Sequence, residues 1–94
     1  MDHQELIGEL TRRAQQMHAG DRFTIMQAIK EAARGIFYDL ELSLDDVLAG
    51  VDHVYDTLIE PIDLPGPDAV IDQVFKAALK FGIRQSWELL QKDT

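Results

Sequence analysis

The sequence predicts an all-α fold, a small four-helix bundle with antiparallel or orthogonal packing. Apolar residues recur at intervals of three and four in four separate segments, which is the pattern of amphipathic helices. Glycine, proline and helix-capping residues lie between these segments, so the connections are short. The 94 residues fit one helical domain, and a composition of 46% hydrophobic and 28% charged residues is that of a globular protein.

The first predicted helix runs roughly from Asp2 to His18 and carries a narrow apolar stripe. Gly20 supplies a left-handed stop after it, and Asp21 can cap the helix that follows. The second helix, roughly Asp21 to Leu40, has the clearest apolar stripe in the chain. Its members are Ile25, Met26, Ile29, Ala32, Ala33, Ile36, Phe37 and Leu40.

The third helix begins near Ser43, because Asp46 three residues later completes a capping-box pattern. Its apolar face is wide enough to point into a core. The face comprises Leu44, Val47, Leu48, Val51, Val54, Tyr55, Leu58 and Ile59. Glu60-Pro61 ends this helix, since the residue before a proline is disfavoured in helical angles. A stiff loop with three prolines, Pro61 to Pro67, then leads to Asp68 as a cap for the fourth helix.

The fourth helix, roughly Asp68 to Gln91, changes its apolar phase near Gly82. Its first stripe contains Ile71, Val74, Phe75, Ala78 and Phe81. Its second stripe contains Ile83, Trp87 and Leu90, rotated by about 120° in a straight helix. The sequence therefore predicts either a kink at Gly82 or a second buried face at the end of the helix.

The second and third helices have the widest stripes, so we expect them to form the centre of the bundle. The predicted core consists of Ile25, Ile29, Ala33, Ile36, Val47, Val51, Tyr55, Leu58, Ile71, Phe75 and Ala78.

Composition excludes several classes of function. The chain has no cysteine, which rules out disulfides, thiolate metal sites and thiol nucleophiles. A net charge of −8 disfavours binding to nucleic acid and to anionic membranes. The acidic N-terminus lacks the order of a signal peptide, and no apolar run is long enough to span a bilayer, so we expect a cytoplasmic protein.

The outer face of the third helix is the most unusual charged feature. Its charges are all acidic, namely Asp45, Asp46, Asp52, Asp56 and Glu60. Asp45, Asp52 and Asp56 project within roughly 40° of one another and repel one another, so local stability does not explain them. We expect them to bind a protein partner with a basic surface.

Other interpretations of the acidic face remain open. The row Lys76, Lys80 and Arg84 could pair with it inside one molecule or between two copies. The two faces could also be ordinary solvated surface, or the aspartates could imitate the phosphates of DNA.

Ile83, Trp87 and Leu90 form the second candidate interaction surface, since tryptophan is a frequent anchor of interfaces. This stripe would support a homodimer or bind another protein. The alternative is that Trp87 closes the same core from below.

The sequence contains no recognised catalytic or phosphate-binding motif, so we expect no enzyme and no cofactor. His53 with Asp56 offers a divalent cation only two ligands, and His3 and His18 lie at opposite ends of one helix. The leading prediction is a small acidic interaction or regulatory module that self-associates. The alternatives are a binder of metal or a small ligand at His53, and an enzyme with a site assembled across a dimer interface.

Overall fold

A computed structural model describes residues 2–17, 20–40, 42–62 and 68–92, except for the side chains of residues 62, 68 and 69. Over these ranges the chain forms four α-helices that pack against one another, with no β-strand, so the predicted all-α four-helix bundle is confirmed. The elements are α1 (His3–Gln15), α2 (Arg22–Leu40), α3 (Leu44–Ile59), a 3-10 turn (Glu60–Ile62) and α4 (Asp68–Lys92).

The predicted helix boundaries follow local hydrogen bonding. The Asp21 carboxylate accepts a 2.8 Å bond from the backbone N–H of Thr24, and the Ser43 hydroxyl accepts a 3.3 Å bond from that of Asp46. Gly20, directly before the cap Asp21, has φ +94°, a conformation that side chains disfavour. The cap predicted at Asp68 and most of the proline loop lie outside the part of the chain described in atomic detail.

Helices α2 and α3 form the centre of the bundle, and α1 and α4 pack on opposite sides of this pair. Asp56 meets Lys76 and Asp52 meets Lys80, so α3 and α4 run antiparallel. The arrangement leaves α4 covered by α2 and α3 on one side, while the side that faces away from them receives no other helix within the described ranges.

Two side chains of α1 hold it against the central pair. The side chain of Ile7 passes Gly50 of α3, and a Cβ atom at residue 50 would lie 3.1 Å from Cγ1 of Ile7. On the other side, the Arg13 guanidinium forms a 3.1 Å ion pair with Asp39 of α2. Both contacts join α1 to the central pair, and α1 makes no contact with α4 within the described ranges.

The core prediction holds for α2 and α3 and is partly wrong for α4. All the predicted core residues of the central pair are buried: Ile25, Ile29, Ala33, Ile36, Val47, Val51, Tyr55 and Leu58. On α4, however, Ile71 is 44% exposed, Ala78 is exposed and Phe75 is only partly buried. The buried positions of α4 are instead Asp72, Leu79 and Ile83.

Helix α4 therefore has one continuous inner face, and the predicted change of phase does not occur. It is a single α-helix from Asp68 to Lys92, uninterrupted at Gly82. Ile83 is fully buried, and Trp87 and Leu90 are partly buried against the core. Of the two interpretations of these three residues, the burial supports the one in which Trp87 closes the same core and contradicts a free interaction stripe, because the three residues continue the face that already begins at Asp72.

Two isoleucines of α4 test this phase directly. We expect Ile83→Ala to lower the free energy of unfolding by about 2–5 kcal/mol, because it leaves a cavity in the core. Ile71→Ala should cost less, about 1 kcal/mol, since this side chain is 44% exposed and its loss leaves no enclosed cavity. Urea denaturation of the two variants measures both values, and equal losses would contradict the observed phase.

Candidate interaction surfaces on the third and fourth helices

A buried carboxylate fixes the position of α4. Asp72 is 7% exposed, and its Oδ1 accepts a 2.9 Å hydrogen bond from the Tyr55 hydroxyl and a 2.9 Å ion-paired bond from Nε of Arg22. These groups come from α4, α3 and α2, so one carboxylate joins three helices. A buried charge is tolerated only when it is paired and hydrogen-bonded, and both conditions are met here.

A lysine on the same face of α4 continues this polar contact. Nζ of Lys76 forms a 2.7 Å ion pair with Asp56 and lies 5.9 Å from the centre of the Tyr55 ring. The Lys76 side chain is only 13% exposed, so its alkyl part is covered by the bundle. The inner face of α4 thus carries two charged residues, Asp72 and Lys76, among its apolar ones. For this reason the pattern of apolar residues in the sequence did not predict that this face is buried.

Part of the acidic face of α3 forms ion pairs within the molecule, and the rest is exposed to solvent. Asp56 binds Lys76 at 2.7 Å, and Asp52 binds Lys80 at 3.1 Å. Asp45 is exposed and has no ion pair among the described residues. The interpretation that the acidic face pairs with α4 inside one molecule therefore describes two of the three aspartates, while Asp45 is free to meet a partner.

The side of α4 turned away from the bundle is strongly apolar. Val70 is 69% exposed, Val74 60% and Phe81 59%. Two exposed alanines complete the surface, and Ile71 lies at its edge. We call this surface the outer face of α4, and it consists of Val70, Ile71, Val74, Ala77, Ala78 and Phe81.

The extent of the outer face distinguishes it from scattered surface residues. It presents on the order of 500 Å² of apolar side chain, near the upper end of the largest patches of monomers, about 300–600 Å². Helices that are apolar on both sides are typically covered on both sides. The predicted first stripe of the fourth helix contains four of these residues, Ile71, Val74, Ala78 and Phe81, of which Ile71 and Ala78 were also predicted to lie in the core.

A small cleft lies at the opposite side of the molecule. It has a volume of about 90 Å³ and is lined by Asp2, His3, Leu6, Leu42 and Asp46. The Asp2 carboxylate is already used to cap α1, where it accepts a 2.8 Å bond from the N–H of Glu5. Pockets for small organic ligands are usually several times larger, about 300–1,000 Å³.

The histidines give no clustered site in the described part of the chain. His53 is exposed on α3 and His3 lines the cleft, while His18 lies outside the described residues. Within the described ranges, no group of three or more histidine, aspartate or glutamate side chains is arranged to hold a metal ion.

Comparison of the chain with protein-family models, curated proteins and solved structures gave no significant match. Among the described helices, none combines the length and the apolar character needed to cross a bilayer.

Tyrosine variants test the buried network. Tyr55→Phe should lower the free energy of unfolding by about 1–3 kcal/mol, because the buried Asp72 carboxylate loses a hydrogen-bond donor. Tyr38→Phe is the matched control, since that side chain is 74% exposed, and it should have almost no effect. Chemical denaturation of both variants gives the comparison; an undisturbed Tyr55→Phe protein would disprove the importance of this bond.

Salt dependence tests the pairing between α3 and α4. The double variant Lys76→Gln, Lys80→Gln should lose roughly 0.2–1 kcal/mol per ion pair, because the aspartates are half exposed and solvent screens them. The loss should shrink at high salt. Arg84→Gln, one turn further along α4, removes a charge with no ion pair in the described region and is the control. Thermal unfolding at low and high salt measures the difference, and a loss independent of salt would argue against ion pairing.

Proposed function

We propose that the protein is a non-enzymatic interaction module that binds an α-helix of a protein partner on the outer face of α4. The observation that carries this proposal is the exposure of Val70, Val74 and Phe81 on a helix whose other side already packs against the core. Among the described residues, no packing contact with another helix requires these side chains to be large and apolar. A protein interface gives a reason for them, because it buries such groups.

The spacing of the outer face favours a helix as the bound element. Val70, Val74, Ala77 and Phe81 follow intervals of four, three and four, which is the pattern of a seam between two packed helices. They project within about 60° of one another at 100° per residue. A groove-binding loop or a flat surface would not need this periodicity.

The remaining charges favour some partners over others. The carboxylates of Asp45, on α3, and of Glu60, in the 3-10 turn that follows it, are exposed. They add attraction for a partner that has basic residues beside its apolar contact, but because they lie outside the outer face of α4 they do not decide what that face binds. With a net charge of −8, the proposed module is not directed to nucleic acid or to anionic membranes. A cytoplasmic setting fits the absence of cysteine.

The proposed role is that of a regulatory or adaptor protein without chemistry of its own. The described cleft is small, and the sequence lacks recognised catalytic motifs. A function at His53 receives no support from its surroundings, because the nearby Asp52 and Asp56 are engaged by lysines of α4.

Site-specific photo-crosslinking in cells tests the proposed function. A photoreactive amino acid at position 74 should give products that contain a second polypeptide, because this position lies at the centre of the outer face. The same photoreactive amino acid in place of Gln15, which is exposed on α1 across the bundle, should give few such products or none. Mass spectrometry identifies the attached chain. Equal labelling at both positions, or none at position 74, would overturn the proposal.

A further inference from the structure

We infer that the outer face of α4 is a self-association surface, which pairs with the α4 of a second copy of this chain in antiparallel orientation. This inference rests on the proposed function and identifies the bound partner as a second copy of the chain. It follows from three features of the outer face, namely the order of its apolar residues, its lack of unpaired charge, and the area that it offers.

The order of the apolar residues is self-complementary. When a second α4 is laid antiparallel along the seam, Val70 faces Phe81 of the second copy and Val74 faces its Ala77. Two-fold symmetry repeats both pairs, so all four layers of the seam are apolar. Each layer combines a larger and a smaller side chain, which allows the two helices to interdigitate.

The charges of α4 select the antiparallel direction. A parallel pair in register would place Arg84 against Arg84 and Glu88 against Glu88 at the next two positions of the seam, with repulsion in both layers. In the antiparallel pair these residues extend beyond the apolar seam, which is about 12 residues or roughly 18 Å long.

The net charge of −8 does not oppose contact at this surface. The lysines nearest to the seam, Lys76 and Lys80, are paired with Asp56 and Asp52 of the same molecule, and Asp72 is buried with Arg22. The outer face is therefore neutral between residues 70 and 81. The uncompensated carboxylates, such as Asp45, lie on α3 and not within the seam.

The available area predicts a reversible dimer. Two outer faces would together bury on the order of 1,000 Å² of apolar side chain, close to the lower limit of about 1,200 Å² for specific interfaces. Interfaces at this end of the size range are usually weak and transient, so we expect a micromolar dissociation constant, on the order of 1–100 μM.

Sedimentation equilibrium of the purified chain tests self-association, over concentrations from about 1 μM to 1 mM around the expected dissociation constant. The wild type should pass from monomer to dimer. Val74→Ser and Phe81→Ser should weaken dimerisation at least tenfold, with unchanged helical circular dichroism, because both positions are exposed in the monomer.

Leu89→Ser is the matched control for the loss of an apolar side chain. Leu89 is 61% exposed on the same helix, as Val74 is at 60%, but it lies outside the seam and beyond its end. It should dimerise as the wild type does. A chain that stays monomeric at about 1 mM, or a dimer equally sensitive to Leu89→Ser and Val74→Ser, would overturn the inference.

Disulfide trapping tests the orientation, and the absence of native cysteine makes it clean. Val70→Cys and Phe81→Cys chains are mixed and oxidised under mild conditions. An antiparallel seam yields mainly the mixed disulfide between positions 70 and 81, because these residues face each other across the interface. Predominant 70–70 and 81–81 disulfides would show parallel pairing and contradict the proposed geometry.

The two proposals fail in different ways. If the purified chain stays monomeric while position 74 crosslinks in cells to a different protein, the inferred self-association is wrong. The proposed function as an interaction module is then still supported. If position 74 forms no crosslink and the chain stays monomeric, both proposals are wrong.

Discussion

The hydrogen-bonded carboxylate of Asp72 determines which side of α4 faces the bundle. It accepts bonds from Tyr55 on α3 and Arg22 on α2, and it is almost completely buried. A buried carboxylate without such donors would be strongly destabilising, so rotation of α4 that broke both bonds would carry a large penalty. Leu79 and Ile83, on the same side of the helix, then enter the core.

The exposed apolar surface is a consequence of this orientation. A helix with apolar residues on both sides can bury only one of them against the same pair of neighbours. Because Asp72 fixes the inner side, Val74 and Phe81 are turned to solvent. Burial of Leu79 and Ile83 therefore stabilises the core while the outer face of α4 stays exposed to solvent. A small domain of this kind gains further stability when a binding partner covers that face.

The ion pairs between α3 and α4 also help to hold α4 in this orientation. Lys76 and Lys80 reach Asp56 and Asp52 across the interface between the two helices, and the ring of Tyr55 lies beside the Lys76 ammonium group. Such partly exposed pairs contribute little to stability, but they set the register of two antiparallel helices. They also remove charge from the neighbourhood of the outer face, which leaves that face neutral although the chain as a whole is acidic.

The sequence by itself determined the helical class, the four segments, the capping residues Asp21 and Ser43, and the core of α2 and α3. These features depend on local hydrogen bonding and on one dominant apolar stripe per helix, both of which are visible in the order of residues. The orientation of α4 depended on the tertiary structure. Its buried side contains Asp72 and Lys76, whose burial is allowed only because Arg22, Tyr55 and Asp56 arrive from other helices. Periodicity placed Ile71 and Ala78 inside and read Ile83, Trp87 and Leu90 as a free stripe, since hydrophobicity carries no information about distant hydrogen-bond partners.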